Sequence, residues 1–283
     1  MATPFDKLPR IEKQAVGEML KVISEAQKQA RRIVADAASS PAAVKDARTR
    51  DAVYQEILAT YKDATKPLDD ILRRLITKSG AIGNQAAGLN VASGVDIVQF
   101  NEKRLRQYWQ YVAPENSKSL AATLTENMSN RAVSQLRTAF VDNFREAGVQ
   151  GWTARETQKN LQLKWDALAG DRDAFRFVDR GGKVWENARY TQMLVRTNSQ
   201  RVSRESFVDT LAESGIGYAR ISNDSPLESS TEVCARWAGK IISVGGTDPD
   251  FPSYQDALDD GMFHPNCLHR LEPVLPEQVE AAR

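Results

Sequence analysis

Two cysteines and two histidines are all that the 283 residues contain, and all four, Cys234, His264, Cys267 and His269, fall in the last quarter of the chain. Thiolate sulfur and imidazole nitrogen are the donors that suit tetrahedral zinc, and two of each make a closed, neutral ligand set. His264 and Cys267 form a short chelate that a tight turn through Pro265 and Asn266 can present to one ion. In an extended segment Cys267 and His269 face the same side, so HPNCLH offers three donors and Cys234 a fourth from a preceding turn. Four protein donors leave no open coordination position, which makes the expected zinc structural rather than catalytic. A short module gains folding free energy from such a staple. The spacing is not that of a standard zinc finger, and a metal-free reading stands beside it. In that reading His264 caps a carbonyl and Cys267 is buried as a small apolar side chain.

Other chemistry is absent. The chain has no phosphate-cradling GxxxxGK followed by Ser or Thr, no GxSxG, no HExxH, and no HxE with the PCxxC of zinc deaminases, so no enzymatic activity is expected. Asp256, Asp259 and Asp260, in YQDALDDG, are expected on the exposed face of a short helix rather than around a cation. Two cysteines are too few for a disulfide framework. No run is apolar for the length of a membrane span, and MATPFDKLPR lacks the apolar core of a secretion signal, so synthesis in the cytoplasm and no membrane partner are expected.

The elements that must position the cluster are mostly helical. Val16, Met19, Leu20, Ile23, Ala26, Ala30, Ile33 and Val34 keep the three-and-four spacing of a half-buried helix that should stop at Ser39 to Pro41. Val53, Ile57, Leu58 and Tyr61 predict a second helix, and Leu68, Ile71, Leu72, Leu75 and Ile76 a third after Pro67. Residues 79–95, glycine-rich and small, read as a loop or hinge. Leu105, Tyr108, Trp109 and Val112 share a helical face and are read as core rather than as a base-stacking surface.

Leu120, Leu124, Met128, Ala132, Leu136, Phe140 and Phe144 predict a helix over 119–147, ended by Gly148. Thr153 and Glu156 form a capping box that starts another helix. Gly181-Gly182 marks a tight turn before a helix from Val184 to about Ser214. Beyond Gly217 the period changes, and YARIS at 218–222 and KIISV at 240–244 predict strands. The expected fold is α+β: N-terminal amphipathic helices (1–115), a central helical part (116–215) and a small strand-and-loop module (216–283) carrying the Cys/His cluster. Residues 1–110 hold 18 basic against 13 acidic side chains and residues 216–283 hold 5 against 11, a basic excess too small for a nucleic-acid footprint.

Two stretches resemble a known family. CARWAGKIISV followed by SYQDALDDGMFHPNCLHRLEPV, and upstream GGKVWENARYTQMLVRT at 181–197, are similar to the phage minor capsid protein 2 family, within the Mu F-like head morphogenesis group. The resemblance covers roughly residues 175–275 and singles out Tyr190, Arg196, Thr197, Gly239, Lys240, Pro265 and Asn266 beside the cluster. It implies a minor head protein of a tailed phage, in the virion near the portal. The implied partners are the portal protein, other capsid components and packaged double-stranded DNA, and the implied site of assembly is the host cytoplasm. Leu268 stands where the family usually has Arg, and Thr231 where many relatives have a second Cys, whose ligand role His269 would fill. The alternative is a zinc-dependent enzyme or toxin-like effector using the same cluster.

Overall fold

The computed structural model describes residues 4–40, 46–90, 102–171, 174–179, 181–223 and 231–283, with backbone alone for 89–90 and 102–115. The fold is mostly helical with a small antiparallel sheet near the C-terminus. After a single helical turn at Pro4–Lys7, the order is α1 (Leu8–Ala38), α2 (Ala47–Asn90), α3 (Glu102–Gln150), α4 (Ala154–Gly170) and α5 (Asn187–Glu213). Then follow β1 (Tyr218–Ile221), α6 (Glu232–Trp237), β2 (Ile241–Ser243), α7 (Tyr254–Asp259), β3 (Leu271–Pro273) and α8 (Pro276–Glu280). Two compact units are assembled from separate stretches of chain. One takes Met1–Val16, Leu72–Glu115 and Gln192–Arg283, the other Gly17–Ile71 and Asn116–Thr191.

The second unit is a helical bundle whose core is the stripe read from the sequence. Met19, Ile23, Ala30 and Val34 of α1 are buried, as are Ile57, Tyr61 and Leu68 of α2, Leu124, Met128 and Leu136 of α3, and Leu161 and Trp165 of α4. Cross-helix polar contacts fix the register: Thr65 Oγ1 and Thr125 Oγ1 are 2.9 Å apart, and Asn143 Nδ2 donates to the Thr157 carbonyl at 2.8 Å. Thr153 caps α4 as expected, its hydroxyl accepting from Glu156 N at 3.3 Å while Glu156 Oε2 accepts from Thr153 N at 2.8 Å. The Gly181-Gly182 turn is also present, with Gly182 at φ 81° and Asp179 accepting from the Lys183 amide and the Trp185 indole.

Three expectations are corrected. The helices on either side of Pro67 are one helix, α2, which runs through the proline. Pro67 is exposed while Ala64, Leu68 and Ile71 continue the buried stripe, so the carbonyl that loses its partner faces water and burial outweighs the ~3 kcal/mol a proline costs. The helix expected to stop at Gly148 continues to Gln150, and Gly151 takes the left-handed φ of 67° instead.

The third correction concerns 79–95. Residues 79–90 are helix rather than hinge, and the remainder lies outside the described residues. In the first unit Ser206 Oγ donates to the Gly80 carbonyl at 2.8 Å, and a Cβ at Gly83 would lie 2.0 Å from the Ser203 carbonyl oxygen. The glycines here let two helix backbones approach. Gly83→Ala is therefore expected to destabilise by about 1–3 kcal/mol through overpacking. Gly88→Ala, with nothing within 4 Å of its Cβ, should stabilise by about 0.5–1 kcal/mol. Opposite shifts of the urea midpoint are the test. The core face expected for Leu105, Tyr108, Trp109 and Val112 lies outside the described side chains.

The sheet runs β2-β1-β3, all antiparallel, with Arg220 opposite Ile241 on one side and Glu272 on the other. β1 and β2 were legible in the sequence, and β3 was not. Ala219, Ile221, Ile242 and Leu271 make the buried face, packed with Phe207 and Leu211 of α5 and Ile82 and Ala86 of α2. Cys234, Trp237, Phe263 and Cys267 belong to that same core.

Candidate metal centre

Each donor is placed by a local device. Cys234 sits in the first turn of α6, where the Thr231 hydroxyl accepts from its amide at 3.3 Å. After α6 the chain must reverse into β2. Gly239 does this at φ 77°, donating from its amide to the Ile221 carbonyl at 2.9 Å. A side chain there is strained by that left-handed φ, and its Cβ, 2.4 Å from Asn223 Oδ1, would push the asparagine aside. Lys240 Nζ lies 4.9 Å from the centre of the Trp237 ring. On the other side, His264 to Cys267 is a β-turn: the Cys267 amide donates to the His264 carbonyl at 2.9 Å, with Pro265 at the second position and Asn266 at φ 66° at the third. That is the type II pattern, in which proline presets the first angle and asparagine tolerates the second.

The turn brings three donors together. The ligand atoms of Cys234, His264 and Cys267 all lie within 4.8 Å of one another. His264 Nε2 is 3.1 Å from Cys234 Sγ, and its Nδ1 is 2.9 Å from the Pro265 carbonyl oxygen. A proton on Nδ1 donated to that carbonyl leaves the Nε2 lone pair facing the sulfur, the arrangement by which outer contacts orient a ligating histidine. Both sulfurs are buried. His269, 2% exposed, lies beside Cys267 with Nδ1 3.5 Å from its sulfur, and is not among the three. Burial pushes the Cys267 thiol above its ordinary value, nearby Cys234 adds to this, and the Arg204 guanidinium opposes it. Burial lowers the His269 imidazole, with His264 and Arg204 acting the same way. These donors fit a divalent ion of the zinc type.

A strap ties the two donor segments together. Asp260, which caps α7, accepts from Arg236 Nη2 at 2.9 Å and from Trp237 Nε1 at 2.6 Å. The Trp237 indole, then Arg236, hold this carboxyl below the usual carboxylate range. A depressed carboxyl stabilises the fold above its unfolded pKa and loses that contribution as pH falls through the folded one, so the loss begins below about pH 4. Asp260→Asn is expected to flatten the acid limb of the stability profile, read as urea midpoints between about pH 6 and pH 3. Asp256 lies exposed on the short helix α7, as expected, and also closes a capping box with Ser253 at its start.

The upstream motif residues lie elsewhere. Tyr190 stacks on Phe177 with ring centres 3.6 Å apart, within the bundle. Arg196 Nε is 3.9 Å from Glu12, a buried carboxylate that also accepts from Ser199 Oγ at 2.5 Å and Gln200 Nε2 at 3.2 Å. Arg196, Glu12, Leu268 and Arg270 line one cavity of about 700 Å³ in the first unit, so Leu268 faces a cavity that already holds two arginines. Thr197 Oγ1 is buried with no hydrogen-bond partner among the described residues. Sequence reasoning missed Thr231 as a cap, Phe263 at a left-handed φ of 62°, and Arg204. The Thr231 cap was readable from Thr-Glu before an apolar residue, whereas nothing in the sequence marks the other two.

The family model for phage minor capsid protein 2 matches residues 115–283, more than half of the chain and a stretch that holds all three donors. The chain belongs to that family. No curated protein and no solved structure matches it. Membership of the phage minor capsid protein 2 family makes this a structural protein of a phage capsid, located in the virion and interacting with other capsid components. Among the described residues no helix is long and apolar enough to cross a membrane.

Proposed function

We propose that the protein is a minor head component of a tailed phage that joins the portal inside the head during assembly, contacts packaged DNA, and carries a structural zinc ion in its C-terminal module. The observation that carries this reading is the family match, whose span includes the whole Cys234, His264 and Cys267 cluster. Support for a docking role comes from the bundle. Val141, Phe144 and Val149 near the end of α3 and Leu163 on α4 are 48–78% exposed, apolar surface of the kind that marks protein contacts.

Co-expression with the portal protein followed by pull-down, and mass spectrometry of purified heads, test it. Co-purification and presence in heads are expected, and absence from both overturns the reading. DNA contact carries its own signature, an affinity that falls steeply with added salt.

A second reading, a metal-dependent enzyme or toxin-like effector, draws on the donor count. Three protein donors leave a fourth position for water or substrate, as in catalytic zinc sites. It requires turnover that disappears in His264→Ala while the fold persists, and a zinc-loaded protein inert towards ester, phosphoester and amide substrates removes it.

A further inference from the structure

Arg204, on α5, is 4% exposed, yet its Nε and Nη1 have no hydrogen-bond partner among the described residues. Among the described residues no carboxylate oxygen lies within ion-pair distance of it; Glu205, its neighbour on the helix, acts on it only at longer range and pairs with Arg201 at 3.8 Å. An unpaired buried cation costs several kcal/mol, so a fold that keeps one has negative charge or strong acceptors for it in at least one state.

The surroundings of Arg204 show which acceptors are at hand. Its guanidinium carbon lies 4.4 Å from the centre of the Phe263 ring, and Phe263 directly precedes His264. Phe263 holds a left-handed φ of 62°, a conformation that a bulky residue adopts only when its surroundings impose it. That backbone twist places an aromatic face under the cation and at the same time starts the turn that carries His264 and Cys267. The Tyr254 hydroxyl, at the start of α7, holds the guanidinium from another side. Cys267, buried in the same core as Phe263, is among the groups that interact electrostatically with Arg204.

We propose that Arg204 is a positioning residue of the centre, donating from its unpartnered Nε–H and Nη1–H groups to the Cys267 sulfur when a metal is bound. The inference rests on the metal reading given above. Metal binding turns both cysteines into thiolates; the ion offsets their charge, but a ligating sulfur accepts a hydrogen bond far better than a thiol does, and so offers the acceptor that the buried guanidinium lacks. N–H donors aimed at a ligating sulfur in turn draw density from it, which sets the sulfur-to-metal charge-transfer energy and holds Cys267 in its ligating rotamer. Arg204 touches no metal itself and acts only through Cys267.

Cobalt(II) is the probe, because its thiolate charge-transfer and d–d bands report both occupancy and ligand electronics. Full-length wild type, Arg204→Lys and Arg204→Met are titrated with cobalt(II) against a chelator, and the fold of each metal-free protein is checked by circular dichroism. Arg204→Met is expected to bind about 10–100-fold more weakly, with its charge-transfer band displaced. Arg204→Lys, which keeps the charge and loses the fork of donors, should recover part of the affinity and not the band position. If Arg204→Met does not fold, Arg204→Lys carries the comparison. Unchanged affinity and spectrum in a folded variant overturn the role of Arg204 and leave the metal site standing. A wild type that develops no thiolate band overturns the metal reading, and this inference with it.

Discussion

Purified protein is expected to carry or take up about one equivalent of zinc, and Cys234→Ser or Cys267→Ser to reduce that to background. The physical ground is the three-donor geometry: two buried sulfurs and an imidazole whose outer nitrogen faces a backbone carbonyl, so that its inner nitrogen is free to ligate. A site built for a thiolate ligand tolerates neither substitution, because a serine hydroxyl at neutral pH is not an anion.

His269 separates two versions of the site. As a neighbour whose Nδ1 meets the Cys267 sulfur at 3.5 Å, it should cost about 10–100-fold in affinity on His269→Ala while the stoichiometry holds. A loss as complete as that of the cysteines would make it a ligand. Acid should weaken binding. Burial keeps the Cys267 thiol protonated above its ordinary pKa, so the ion must displace that proton, and affinity climbs as pH rises through the neutral range. The metal is also a stability term: at a free concentration of 100 times Kd it adds about 2.7 kcal/mol to the folded state, which EDTA removes. Elemental analysis and chelator titration read all of these, and a metal-free protein with an unchanged melt in EDTA would leave His264 to Cys267 as an ordinary hydrogen-bonded turn.

What the sequence disclosed, and what it did not, follows from the range of the interactions involved. Stripes such as Met19, Ile23, Ala30 and Val34, the Thr153 and Glu156 box, and the Pro265-Asn266 turn are written within a few residues, and the structure contains each of them. The cluster was visible because four rare residues fall close together, whereas the place of His269 beside it depends on how the chain leaves the turn. Pro67 and the glycines of 79–90 misled for one reason: local propensity says break, whereas buried surface on both sides of Pro67, and a close approach to Ser203 at Gly83, say continue. β3 is too short, and holds a proline, to show a strand period. Arg204 was beyond reach, since an arginine on an amphipathic helix looks solvated until its neighbours close over it.

The same reasoning sets the largest expected loss outside the centre. Trp165 is fully buried on α4, two turns after Thr157 and one after Leu161, so the capping box at Thr153 fixes where the helix starts and thereby which face the indole takes into the bundle. Trp165→Ala is expected to cost about 3–5 kcal/mol, the range for truncating a large buried aromatic to a residue that cannot fill its space. Trp165→Phe should cost much less, because the indole Nε1 makes no hydrogen bond among the described residues and the change forfeits volume alone. Thr153→Ala should cost about 1 kcal/mol through the lost cap. Urea unfolding followed by circular dichroism orders the three, and a Phe variant as unstable as the Ala variant would mean that Nε1 has a partner after all. The consequence reaches function through Phe144, Val149 and Leu163, the exposed apolar residues near the α3 to α4 connection, whose arrangement depends on α4 staying packed. Trp165→Ala should therefore weaken capture of capsid partners while leaving zinc content unchanged, the pattern that distinguishes a docking surface in the bundle from the staple around Cys234, His264 and Cys267.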